Sequence, residues 1–287
     1  MSLPDANDSS AVVNHYAATS LRTRIGDALE LAGLAGLAGD RDLINWKDLA
    51  PLDEFHVRGL AASEELAAGL QLAPGATVLD VGSGLGGPSR FLAATYGVHV
   101  TGIDLSPPFV EAATMLSERT GLSDRTTFQV ADALTLPFED SSFDHAWTQH
   151  VAMNIRDRAR LYAEVFRVIE PGGSFAIYDV IRGDGESLIF PVPWARDPDI
   201  SFLLTSDATR DVLVRSGFDV VSWTDTTAVA NEWIAKQRDA QSRAPSSPAI
   251  GLHLVTPPDF AVMMANLGRN LIERRALLLQ AIVRRPM

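Results

Sequence analysis

The stretch that decides the fold is TVLDVGSGLGGPSRFLAATYGVHVTGIDLS, residues 77–106. It opens on the apolar run Thr77-Val78-Leu79, short enough to be a buried strand. Asp80 follows, and then the glycine turn Gly82-Ser83-Gly84-Leu85-Gly86-Gly87. Pro88 and Ser89 start a helix, where proline's fixed φ and missing N–H cost little. The helical spacing of Phe91, Leu92 and Tyr96 stops at Gly97, a residue suited to a left-handed cap. A β-rich run from Val98 to Ile103 then ends at Asp104. Strand, glycine turn, helix and second strand ending in a carboxylate make the arrangement that holds an adenosine-containing ligand.

Glycines let the backbone turn sharply and approach a ligand that any Cβ would block. Asp104 stands about twenty residues beyond the first glycine, at a strand tip where a carboxylate can accept both ribose hydroxyls. Gly82-x-Gly84-x-x-Gly87 also satisfies the dinucleotide fingerprint, so the turn alone leaves NAD and other adenosyl cofactors open. Asp80 bears on the choice. An acid just before the turn is repelled by a pyrophosphate and welcomes a cation. S-adenosylmethionine, with its sulfonium and α-ammonium groups, is such a cation.

The rest of the chain fits one large α/β unit with appendages. Its 287 residues are 46% hydrophobic and 21% charged, ordinary values for a folded soluble protein. A net charge of −12 argues against nucleic acid or an anionic membrane as the main partner. With no cysteine there is no disulfide, thiolate catalysis or cysteine-bound metal, which suits a cytoplasmic setting. No apolar run approaches the roughly 20 residues needed to span a bilayer, and the first twelve residues lack the pattern of a signal peptide.

Taken in order, residues 1–12 read as disordered, and Val13 to Leu49 carries helical spacing with the small-residue run LAGLAGLAG at 31–39. Asp53-Glu54-Phe55-His56-Val57-Arg58-Gly59 leads into an amphipathic helix over 59–70. Residues 1–70 are expected to form a helical cap over the ligand cleft, and 71–287 the catalytic domain. After Asp104, a helix capped by Ser106 runs to Gly121, and further strands are expected at 126–130, 145–148 and 174–178. A helix over 158–169 stops at Glu170-Pro171-Gly172-Gly173. The proline-rich segment 180–201 reads as a long functional loop. A helix at 205–216, a strand at 218–223, inserted helices at 227–241 and 257–274, and an apolar closing strand at 276–283 complete the chain. Alternating strands and helices imply a Rossmann-like, doubly wound sheet, mostly parallel, with the closing strand antiparallel.

These residues resemble the class I S-adenosylmethionine-dependent methyltransferases. Asp80-Val81-Gly82-Ser83-Gly84-Leu85-Gly86 is similar to that family's first motif, Phe138 to Asp144 to its approach to the fourth strand, and Arg167 to Gly173 to its R-V-L-K-P-G-G turn. More loosely, the whole chain is similar to sarcosine/dimethylglycine and natural-product small-molecule methyltransferases. The resemblance implies S-adenosylmethionine as cofactor, held by Asp80, Gly82, Ser83, Gly84, Gly86, Asp104, Leu105, Asp132 and Ala133, with Asp132 at the adenine. Gln149 is placed at the methionine part or the substrate, and Tyr16 is placed to close over the sulfonium, since an aromatic face attracts a cation. Natural-product O-methyltransferases of this branch often carry a His-His pair after the fourth strand. Here Met153 and Asn154 hold those positions, with His150 just earlier.

Methyl transfer from a sulfonium requires a nucleophile placed at the methyl, water excluded and, for a hydroxyl acceptor, a base. His150 and Asp179, each following a strand, are the catalytic candidates. His56, Trp194, Arg196 and His253 fall on segments expected to roof the cleft and read as structural. The six histidines show no H-x-x-x-H spacing, so no metal site is expected. The expected function is methylation of N or O on a small molecule by a monomer or homodimer. The competing readings are an NAD(P) oxidoreductase, disfavoured by Asp80 and the 170–173 turn, and a non-catalytic cofactor-binding module.

Overall fold

The computed structural model describes residues 21–34, 43–243 and 250–287. The core is a seven-stranded sheet in the order β3-β2-β1-β4-β5-β7-β6. The strands are β1 Thr77–Val81, β2 His99–Asp104, β3 Thr126–Val130, β4 Phe143–Gln149, β5 Ile169–Arg182, β6 Asp219–Asp225 and β7 Ala276–Arg284. The first five run parallel, and β7 lies antiparallel between β5 and β6. The chain winds outward from β1 in one direction and then restarts at β4 in the other. Such a switch point opens a crevice at the carboxyl ends of β1 and β4.

Strand alternation feeds two cores. Val78, Trp147, Tyr178, Leu278 and Ile282 face one layer of helices, while Leu79, Ala146, Ile177, Leu279 and Ala281 face the other. Both faces are covered, which is why these strands read as continuous apolar runs instead of alternating with polar residues. The helix Gly87–Tyr96 buries Phe91, Leu92 and Ala93 in the first core, and the helix Arg158–Val168 buries Leu161, Val165 and Val168 in the second.

The amino-terminal segment divides its work. The helix Leu21–Leu31 buries Leu21, Ile25 and Leu29 against Phe109, Ala112 and Leu116 of the helix Pro107–Arg119, at the flank of the sheet. The helix Leu60–Ala68, expected as part of the cap, packs Ala62, Leu66 and Ala67 onto the sheet's own core. Its apolar stripe has no lid to serve because β7 offers it a buried face: a Cβ on Gly69 would lie 2.3 Å from Ile282. Among the described residues of the stretch between these helices, Asp53, Phe55 and His56 reach the cleft described below.

The end of β5 differs from the sequence expectation in a way that bears on the site. β5 continues past Tyr178 to Arg182 because β7 pairs with it in unbroken register from Ser174↔Arg284 to Arg182↔Ala276. The loop that follows is folded back onto the protein. Asn270 bonds both backbone groups of Ile189, and Trp194 is buried.

Candidate functional site

At the carboxyl ends of β1, β2, β3 and β4 lies a cavity of about 340 Å³. Its walls include Asp80, Gly82, Ser83, Gly84, Asp104, Leu105, Asp132, Ala133, Gln149 and His150, which the tertiary structure gathers from four strand tips. Three carboxylates on adjacent strands thus share one space. The volume falls in the range of small-ligand pockets.

The turn is built from main-chain bonds that only its conformation allows. The N–H groups of Gly82 and Ser83 both donate to the Ile103 carbonyl, at 2.8 and 2.9 Å. Gly82, Gly84 and Gly86 have φ of +76°, +52° and +76°, a region that side chains disfavour. Gly82 also lacks room, since a Cβ there would sit 2.2 Å from Val151 Cγ2. At Gly84 a Cβ would meet nothing within 4 Å, so this glycine keeps space open instead of avoiding a neighbour.

The acids are held by their own chain. Asp104 accepts the Gly84 N–H at 3.0 Å and the Ser106 N–H at 2.8 Å. Burial nevertheless pushes it up to about 6, the two N–H groups partly opposing the rise. Asp80 accepts the Ser89 hydroxyl at 2.6 Å and is pushed to about 7, chiefly by burial, with the nearby Asp104 charge adding to it. Asp132 accepts the Leu134 N–H at 2.9 Å. A cation entering here would meet two carboxylates whose ionisation it favours. Ser83 Oγ and Ser106 Oγ are buried with no partner among the described residues, and both residues line the cavity. Orphaned donors of this kind are matched by the hydroxyls and carboxylate of a bound ligand.

Two of the expected site residues stand apart. Gly86 is not in the wall; its missing Cβ makes room for Phe128, whose Cζ would be 2.5 Å away, so it serves packing. Asp179 is buried at the end of the sheet but does not reach the cavity. Its carboxylate takes the Val180 N–H at 2.9 Å and the N–H groups of Ala152 and Met153, and faces Arg158 at 3.8 Å. It therefore shapes the turn after β4. Tyr16 lies outside the described residues.

His150 follows β4 with φ +53°, a strained position for a non-glycine residue, and donates its N–H to the Tyr178 carbonyl at 2.8 Å. Its Nε2 is buried without a partner among the described residues. Burial, aided by the facing His56, holds its pKa well below the ordinary imidazole value. Asn154 donates to the carbonyls of Trp194 and Ile200 at 2.9 and 2.8 Å, pinning the long loop as the far wall. That loop brings Pro193, Trp194, Ile200 and Phe202 to the cavity, while Arg196 pairs at the surface with Asp259. His253 is not in the wall.

Sequence reasoning undervalued the segment 53–56. Asp53 is locked to Arg90, the guanidinium donating to its carboxylate at 2.6 Å and to the Leu85 carbonyl at 2.6 Å. This clamps the segment onto the glycine turn and brings Phe55 and His56 into the wall. The available signal was a run of charged, aromatic and imidazole side chains just ahead of a helix, with no apolar period of its own. Among the described residues, no group of three or more His, Cys, Asp or Glu side chains is placed to hold a metal, and no helix is long and apolar enough to cross a membrane.

Comparison with known proteins agrees with this geometry. A family model described as a methyltransferase domain matches residues 79–177. Methyltransferase GfsG of Streptomyces halstedii is 38% identical over 139 residues, which cover 48% of this chain and 50% of that protein. The chain spans from about a quarter to about three fifths of the length of the first curated relatives it matches. Among solved structures, phosphoethanolamine N-methyltransferase 2 of Haemonchus contortus, in complex with S-adenosyl-L-methionine, superposes with a TM-score of 0.71 at 18% identity, covering 94% of this chain and 61% of that one. The [4+2]-cyclase SpnF superposes with a TM-score of 0.64 at 23% identity, covering 94% and 98%. The domain at residues 79–177 belongs to the methyltransferase family, and the sheet built around it is that of the class I S-adenosylmethionine-dependent methyltransferases.

Proposed function

We propose that this chain transfers a methyl group from S-adenosylmethionine to nitrogen or oxygen of a small molecule. The observation that carries the reading is the convergence of Asp80, Asp104 and Asp132 on one cavity beside a glycine turn with room at Gly84. In this reading Asp104 accepts the ribose hydroxyls, Asp132 and Ala133 border the adenine, and Asp80, Ser83 and Gly82 receive the methionine end. S-adenosylmethionine supplies an electrophilic methyl on a sulfonium. The chain's own part is to hold the acceptor in line with it, exclude water and dispose of a proton.

Gln149 and His150, at the tip of β4, line the same cavity as the carboxylates and as Phe55, Trp194 and Phe202, and are assigned to the acceptor. Asp179 is assigned no part in the chemistry. Within the amino-terminal cap of residues 1–70, the stretch 53–56 is the described part that borders the cleft, and 71–287 is the catalytic domain. The acidic balance suits a cytoplasmic monomer or homodimer that acts on neither nucleic acid nor membrane.

Fold alone does not name a reaction, as the cyclase on the same scaffold makes plain. Isothermal titration tests the assignment. Adenosylmethionine and adenosylhomocysteine are expected to bind in the micromolar range and NAD not to bind. Binding of NAD with no binding of the adenosyl ligands sinks the reading.

A further inference from the structure

Every polar contact of the His56 ring among the described residues runs through one nitrogen. Nε2 lies 3.1 Å from the Gly59 carbonyl, 3.4 Å from Glu54 Oε2, 3.3 Å from Ser63 Oγ and 3.1 Å from Gln149 Nε2. Nδ1 has none, although the ring borders the cavity. The tautomer follows from which neighbour cannot adjust. Gly59's carbonyl only accepts, and it belongs to a main chain bent at φ +52°. The Gln149 amide, oriented by the Trp147 indole N–H that its oxygen accepts at 3.0 Å, has a second hydrogen to use elsewhere. Nε2 therefore carries the hydrogen, and Nδ1 keeps its lone pair.

We propose, building on the methyltransferase reading above, that the acceptor is an apolar molecule bearing a weakly acidic hydroxyl and that His56 takes its proton. The surroundings favour such an acceptor over an ammonium. Phe55, Trp194, Phe202 and Leu267 offer apolar walls. Of the acids near the acceptor end, Asp179 is spent on backbone N–H groups and Asp199, in the wall, is exposed to solvent. Glu54 accepts the Ser63 hydroxyl at 2.8 Å, and burial beside Asp53 pushes it up to about 8, leaving it largely uncharged at neutral pH. His150, 6.0 Å from His56 between ring centres, completes a pair of neutral imidazoles. Burial lowers His56 to about 4, so the ring is unprotonated throughout the physiological range, though a weaker base than a free imidazole.

In the step itself, an oxygen lone pair of the acceptor forms the new O–CH₃ bond while its O–H bond breaks. The proton goes to His56 Nδ1. The electron pair of the broken C–S bond stays on the donor sulfur, leaving a neutral thioether, and the imidazolium later yields its proton to solvent. Gly59's carbonyl and Glu54 face the charge that forms on the ring, which makes Glu54 a positioning residue.

His56→Gln tests this, because the amide keeps an N–H toward Gly59 and has nothing at the Nδ1 position. The probes are para-substituted phenols, from methoxyphenol to nitrophenol, at pH 8 and saturating adenosylmethionine. The expected result is a kcat loss of roughly 10²–10⁴ for phenols of pKa near 10. It should shrink to a few-fold for nitrophenol, already ionised, with adenosylhomocysteine affinity unchanged. A loss uniform across the series, or no transfer to any phenol by the wild type, overturns the proposal. Two-bond ¹⁵N–¹H spectra of the wild-type complex with adenosylhomocysteine give a readout independent of turnover. His56 is expected as the neutral Nε2–H form, and an Nδ1–H form overturns the proposal. Failure of adenosylhomocysteine to bind the wild type is a separate result, which removes the methyltransferase reading itself.

Discussion

The carboxylate of Asp104, at the end of β2, accepts the backbone N–H of Gly84, in the turn after β1, at 3.0 Å. The acid and the turn therefore hold each other in place before any ligand arrives. Asp104→Ala removes an acceptor from the ligand and a tether from the turn at once. Adenosylmethionine affinity is expected to fall by about 1–3 kcal/mol, roughly 5- to 150-fold. Titration calorimetry reads this directly, and an unchanged dissociation constant contradicts the placement of Asp104 in the site.

The two glycines of the turn should fail differently. Gly82→Ala forces a left-handed alanine and drives its Cβ into Val151, a β-branched side chain with little freedom to swing aside. A stability loss of about 1–3 kcal/mol is expected. Gly84→Ala meets no neighbour and costs about 1 kcal/mol for its backbone, but its methyl enters the ligand's space. Melting temperature should fall more for Gly82→Ala, and affinity should fall relative to stability more for Gly84→Ala. The reverse order would show that Gly84 does not face the ligand.

Arg90 is fully buried, and its two terminal nitrogens donate to Asp53, Leu85 O, Ala113 O and Ser117 Oγ, while Nε is left without a partner among the described residues. Asp53→Ala leaves that cation without its countercharge, at a cost of about 3–5 kcal/mol. Asp53→Asn keeps an acceptor and should cost less. Denaturant melts of the two variants measure the difference. Equal midpoints would mean that the ion pair contributes nothing beyond its hydrogen bond.

The acids also set a pH dependence. Asp80, near 7, and Glu54, near 8, hold protons in the folded chain that the unfolded chain has released, so their stabilising effect is lost as pH rises through those values. Buried His56 and His150 act oppositely, because protonation of the unfolded chain favours unfolding below about pH 6.5. The two histidines offset the acids only below about pH 6.5, where Asp104 and Asp179, raised to about 6, add to the loss; ligand-free stability should therefore show no gain towards pH 6 and should decline from about 6.5 to 8. The thermal shift produced by adenosylmethionine, whose cationic groups favour ionised Asp80 and Asp104, should grow over pH 6 to 8. A shift that shrinks over that window would argue against carboxylates facing the cation.

The sequence by itself determined the α/β order, the glycine turn and the acids at three strand tips, because these rest on local rules: buried strands are continuously apolar, and sharp turns need glycine. The destinations of Asp179 and Gly86 did not follow from those rules. One is consumed by backbone N–H groups of the turn after β4, the other by the ring of Phe128, and both partners are distant in sequence. Likewise nothing local distinguished His56 from a structural histidine. Its place at the cavity depends on the Asp53–Arg90 clamp and on Gln149, across more than ninety residues of chain. Periodicity records which face of an element is buried; it holds no record of which segments meet there, because that is decided by packing between them.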